Sequence, residues 1–265
     1  MTKRECLAEQ LRTVREEERD LFTFLKENSN LPGPRGNIEL AFAFADDCVA
    51  NFAERPTAFQ AIYRSMAAVS ASEADTNDPG EIIPFCAAVA LGAYAAREKS
   101  LHGFAVSELR RLAADSRWRL REGVAMGLQE LLSGSVPVNL ALLGRLARDP
   151  DPLVVRAAVA AMAEPRMLTD SSAARTALEF HRLVLERVAA GDFREDKEAF
   201  RVLVKGLSYS LSVVIAAAGE AGFRYLRTLA ASEDAVMRKI VRENLKKARL
   251  SRANAAETAA IKALL

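Results

Sequence analysis

LRRLAADSRWRLREGVAMGLQELL, residues 109–132, decides the fold. It reads as a leucine-rich helix, a short polar turn, and a second helix whose inner face carries small residues. The arrangement returns as LGRLARDPDPLVVRAAVAAMAEP from Leu143 and as LRTLAASEDAVMRKIVRENLKKARL from Leu226. From Leu109 to Arg121 is 12 positions and from Arg121 to Leu128 is 7. Leu226, Arg238 and Leu245 repeat the 12 and 7, while Leu143, Arg156 and Ala163 give 13 and 7, a turn one residue longer. A single hairpin cannot bury its own apolar face, so units of this length imply stacked helix pairs. Arg156 and Arg238 lie 82 positions apart, room for one further unit of roughly 40 residues. Ser171–Ala190 and Lys197–Ala218 are the helices predicted for it.

Upstream, helical signals continue without a strand pattern. A long amphipathic helix is expected from about Thr2 to Asn28, burying Leu7, Leu11, Val14, Phe22 and Leu25. Pro32, Gly33, Pro34 and Gly36 then break the chain. Asn37 caps a helix running through Phe52, and Pro56 opens one that carries Phe59, Ile62, Tyr63 and Met66. The polar stretch Ser70–Gly80 reads as the most mobile loop. The longest apolar run, Ile82–Ala96, holds 15 residues, short of the roughly 20 that span a bilayer, so it reads as a buried helix.

Composition agrees with helices. Half of the 265 residues are apolar and only 6% are aromatic, which favours close helix contact over sheet. A net charge of +2 is too mild to imply a nucleic-acid or membrane partner for the chain as a whole. Cys6, Cys48 and Cys86 are odd in number and include no CxxC pair, as expected for free thiols in a reducing cytoplasm. MTKRECLAEQLR, at the start, lacks the apolar core of a signal peptide. The expectation is a soluble, cytoplasmic, all-α protein.

Leu120-Arg121, Val155-Arg156 and Met237-Arg238 open the second helices, and Asp115 and Asp149 lie in two of the turns. In these features the chain resembles the HEAT-repeat family, and more distantly the HEAT-like DNA alkylation repair proteins. The resemblance implies a right-handed α-solenoid of stacked antiparallel pairs, an armadillo-type superhelix. It implies one domain over 1–265: divergent helices in 1–100, recognisable repeats in 101–250, and a carboxy-terminal tail in 251–265. It also implies a buried ladder of Asp115, Asp149, Arg121, Arg156 and Arg238, ending where Ser232 replaces the acid. The second helices would line a concave, partner-binding surface.

On that surface, the position after each ladder arginine and its neighbours four and seven residues on form stripes. These are Glu122, Met126 and Gln129; Ala157, Ala161 and Glu164; and Lys239, Glu243 and Lys246. The mixture does not make the continuous basic groove that a phosphate backbone wants. Lys205 and Tyr209, with Ser212 on the same side and Ser208 beside them, add a polar stripe that would bind a ligand or link repeats by hydrogen bonds. Arg238, Lys239, Arg242, Lys246 and Lys247 concentrate positive charge in the last recognisable helix, which Arg249 and Arg252 extend. They suit nucleic acid or an acidic protein, or form the polar face of a capping repeat.

The resembling repair glycosylases hold a cationic base among aromatic residues beside an acid. Here Trp118 is the only tryptophan and Arg119 follows it. A packing role for Trp118 is expected before a nucleic-acid contact. Adjacent Asp46 and Asp47 point about 100° apart on a helix, so one is expected in solvent and the other paired. His102 and His181 lack ligand-spaced partners, so neither signals zinc. No nucleotide-loop, zinc-protease or serine-hydrolase motif occurs. The expectation is therefore no catalytic residue, no cofactor, no metal and no membrane contact. A binding scaffold would hold a protein or peptide partner through Glu122, Met126, Gln129, Lys205 and Tyr209. The alternative is a nucleic-acid-binding relative of the repair glycosylases, contacting its ligand through Trp118 and the basic carboxy-terminal helix.

Overall fold

The computed structural model describes residues 2–14, 17–133 and 142–265, and all regular structure among them is helical. The chain gathers into two compact units, Met1–Leu140 and Ala141–Leu265. The first holds α1 (Lys3–Val14), α2 (Glu18–Glu27), α3 (Ile38–Asn51), α4 (Pro56–Ala67), α5 (Ile82–Arg97), α6 (His102–Ala113) and α7 (Trp118–Ser133). The second holds α8 (described over 142–146), α9 (Pro152–Met162), α10 (Ser171–Ala190), α11 (Lys197–Ala230), α12 (Ala235–Leu245), α13 (Ala248–Ala253) and α14 (Ala255–Lys262).

Short turns fold the chain into antiparallel pairs, including α6–α7 and α10–α11. In the first unit α3, α5 and α7 pack side by side. Every residue of α5 from Ile82 to Gly92 is buried. The α5–α7 contact is made by missing side chains: a Cβ on Gly92 would lie 1.8 Å from the Gly127 carbonyl oxygen, and one on Gly123 would lie 2.9 Å from the Phe85 ring. The pairings 85 with 123 and 92 with 127 advance together, so these two helices run parallel. On the other side of α5, Tyr94 donates to the Phe52 carbonyl at 2.5 Å and stacks on Phe59 with centroids 4.1 Å apart.

The second unit follows the same plan. Asp151, Asp170, Asp196 and Asp234 cap α9, α10, α11 and α12 by accepting main-chain N–H groups. α10 runs over Ser171–Ala190, as the sequence predicts, and α11 breaks at Gly219, one residue beyond the predicted Ala218. Gly219 has φ 57° and ψ −131°, a backbone that favours glycine, and separates an arm over 197–218 from one over 220–230. α12 packs against α11, and the second arm with α12 spans the repeat read from Leu226. Pro79–Arg97 and Lys197–Ala230 are long and apolar enough to cross a membrane. The first is α5 with the single-turn helix before it, buried inside its unit, and the second owes its length to two arms.

Several expectations change. The amino-terminal segment is two helices, α1 and α2, flanking residues 15–16, and Leu21 rather than Phe22 enters the core. The 70–80 segment, read as mobile, is tied down. Arg117, 1% exposed, donates to the Val69 and Ala74 carbonyls at 3.0 and 3.1 Å and grips Asp115 through Nε and Nη2. Burial thus falls on Arg117, while Arg121 is half-buried and donates to the Asp115 and Ser116 carbonyls at 2.6 and 2.8 Å. Within 251–265, Asn254 caps α14, and Thr258 and Ile261 are buried.

Candidate binding face around Tyr209

Tyr209 lies on the first arm of α11, where Leu203, Val204, Leu207 and Leu211 face the core. Lys205 and Tyr209, one turn apart, face outward, and Tyr209 is 52% exposed. Ser212, expected to share their stripe, is fully buried. Its main-chain N–H donates to Asn244 Oδ1 at 2.7 Å, and Asn244 Nδ2 donates to the Leu207 and Ile240 carbonyls. The polar row therefore divides: Ser212 joins α11 to α12, while Lys205 and Tyr209 remain on the surface.

The same junction brings the α12–α13 turn against Tyr209. Arg249 donates from Nη2 to the Tyr209 hydroxyl at 2.8 Å, and its Cζ lies 4.8 Å from the ring centroid. Lys247 Nζ lies 5.4 Å from the same centroid. Both distances fall in the cation–π range. Lys246 is exposed and bonds Glu243 at 2.6 Å, which holds the Glu243 carboxyl below its ordinary value. Among the described residues no salt bridge joins a carboxylate to Lys205, Lys247 or Arg249. The face therefore carries an aromatic ring and a local excess of positive charge. On α9, the stem of half-buried Arg156 lies over Gly206, extending this surface.

The predicted basic helix is divided by its own geometry. Arg238 and Arg242 turn to the Leu265 main-chain oxygen, at 2.9 and 3.2 Å, while Lys239 and Lys246 are exposed. Ala157 and Ala161, expected in a surface stripe on α9, are buried, whereas Arg156 and Ala160 are half-exposed. In the first unit Glu122, Met126 and Gln129 lie half-buried on α7. Trp118 is 44% exposed rather than packed in the core, with the Arg119 Cζ 4.5 Å from its ring centroid. Arg119 is itself buried and donates to Glu81, Asn77 and the Gly33 carbonyl. Sequence reading counted Arg249 only within a basic run; its pairing with Tyr209, 40 residues away, has no local signal.

Other candidates have structural uses. Asp46 pairs with Arg4 in solvent, and buried Asp47 accepts from Asn51. His181 is fully buried, with Nδ1 against the Ala177 carbonyl at 2.9 Å and Nε2 against the Ser210 hydroxyl at 3.0 Å; burial lowers its pKa to about 4. Burial also raises the Tyr63 and Cys86 groups. A groove of about 690 Å³ separates α10 from the second arm of α11, lined by Leu178, Leu185, Tyr225, Leu229 and Met237 among others. The Arg182–Glu186 pair lies at its rim.

No family model matches this chain, and no curated protein does. Among solved structures, a designed armadillo repeat protein aligns over 92% of this chain and 99% of its own, at 16% identity and a TM-score of 0.37. An engineered protein from a structural genomics consortium aligns over 96% of this chain and 98% of its own, at 15% identity and a TM-score of 0.35.

Proposed function

We propose that this chain is a non-catalytic binding module that holds a protein or peptide partner on the face formed by α11, α12 and the turn into α13. The observation that carries this reading is Tyr209. A large ring, half exposed and braced by two cations, is the kind of anchor that concentrates binding energy at protein interfaces. Lys205 and Tyr209 are presented by the repeat-built second unit, and Glu122, Met126 and Gln129 offer a second, milder face on α7 of the first. The displaced titrations of Tyr63, Cys86 and His181 belong to core side chains, which suits packing rather than turnover. The nucleic-acid alternative is less well supplied, because Arg238 and Arg242 are engaged by the chain's own Leu265.

Photo-cross-linking tests the proposal. A photoreactive phenylalanine analogue at position 209 should give discrete protein adducts in cells, and the same analogue at exposed Arg175 on α10 should not. Adducts that vanish on nuclease treatment, or equal labelling from both positions, would count against a protein-binding face.

A further inference from the structure

The Tyr209 face has a chemistry of its own. Lys247 and Arg249 lie against the ring, Lys205 is exposed one helical turn before it, and no salt bridge to a carboxylate engages any of the three among the described residues. Arg249 is pre-oriented, because the Tyr209 hydroxyl holds Nη2 and leaves its other guanidinium donors without a hydrogen-bond acceptor among the described residues. A fixed planar fork of this kind matches a carboxylate in a two-point contact. Four helix positions separate Lys205 from Tyr209, about 6 Å along the axis.

We propose that this face takes an extended acidic peptide segment, with carboxylates on Lys205 and on the Lys247–Arg249 pair. The inference rests on the binding reading above and names the partner's chemistry. Single-stranded nucleic acid is the competing anion, and two observations count against it. Nucleic-acid sites of that type stack bases on open aromatic faces, whereas the Tyr209 ring already has two cations against it. They also need a continuing row of cations along the backbone, and on α12 that row is interrupted by the engagement of Arg238 and Arg242 with Leu265.

Fluorescence anisotropy at low ionic strength tests this with the full chain and labelled ten-residue probes. One probe alternates Ser and Glu, one alternates Ser and Gln, and one is a thymidine oligonucleotide of equal length. The Glu probe should bind, the Gln probe should not, and the oligonucleotide should bind more weakly than the Glu probe. The double variant Lys205→Glu/Arg249→Glu should weaken the Glu probe by about tenfold or more, and physiological salt should weaken it in the wild type. Arg175→Glu should leave binding unchanged, and far-UV circular dichroism should confirm that both variants stay folded. Equal binding of the Gln probe, an unaffected double variant, or tighter binding of the oligonucleotide would overturn the acidic-peptide assignment. A protein adduct from position 209 alongside a silent Glu probe would retain the binding module and reject only this chemistry.

Discussion

Gly92 and Gly127 let α5 and α7 approach to backbone contact. A methyl on Gly92 would meet the Gly127 carbonyl oxygen at 1.8 Å, and backbone on both sides leaves no flexible group to yield. Gly92→Ala should therefore destabilise the protein by about 3 kcal/mol or more, by overpacking. Gly103, in the first turn of α6, meets nothing within 4 Å, so Gly103→Ala should be neutral or stabilising by up to about 1 kcal/mol. Urea unfolding monitored by helical circular dichroism distinguishes the two. His181 makes a pH-dependent prediction. Its folded pKa, about 4, lies below the ordinary value of 6.5, so the unfolded chain takes up the proton first as pH falls. The stability tied to His181 is complete above pH 6.5 and is lost between 6.5 and about 4, by about 3 kcal/mol in all. His181→Gln should flatten that part of the stability profile; an unchanged profile would contradict the burial account. Neither role was visible in sequence, where Gly92 read as one glycine in an apolar run and His181 as a histidine without ligand partners.

At the scale of elements, α11 is the informative case. Its 34 residues are two arms meeting at Gly219, whose φ of 57° and ψ of −131° few other residues tolerate. Nothing lies within 4 Å of a Cβ added there, so Gly219→Ala should cost about 1–3 kcal/mol through backbone strain alone. If Ala proves neutral by the same urea measurement, the break is not held by backbone conformation. The break was legible because the predicted helix ends at Ala218, beside a glycine and before the leucine-rich start of the next repeat. The surface of α9 was less legible. The stripe rule works on α7 and α12, where Glu122, Met126, Gln129, Lys239 and Lys246 are all at least partly exposed, but it names buried Ala157 and Ala161 on α9. The α9 repeat has the longer turn, and one residue of offset rotates a helix face by about 100°. Anchoring by Arg117 was illegible for another reason: its partners at Val69 and Ala74 are main-chain carbonyls, which leave no mark in a side-chain pattern.

For the whole molecule, the period of helix, turn and helix was enough to predict an all-α architecture of paired helices, because each pair must bury its apolar side against the next. The first hundred residues obey the same physics with less regular spacing, and there the single amino-terminal helix and the mobile 70–80 segment were misread. The binding face was half legible. Lys205 and Tyr209 stand out on a helical wheel, but Arg249 reaches Tyr209 across a tertiary junction, where Asn244 joins α12 to α11. At this scale the proposal is that the Tyr209 face holds a partner. Titration calorimetry of the partner identified by cross-linking, against the wild type and Lys205→Ala/Tyr209→Ala, tests it most directly. An affinity loss of about tenfold or more is expected, with the thermal midpoint unchanged; undiminished affinity in the double variant would rule this face out as the partner site.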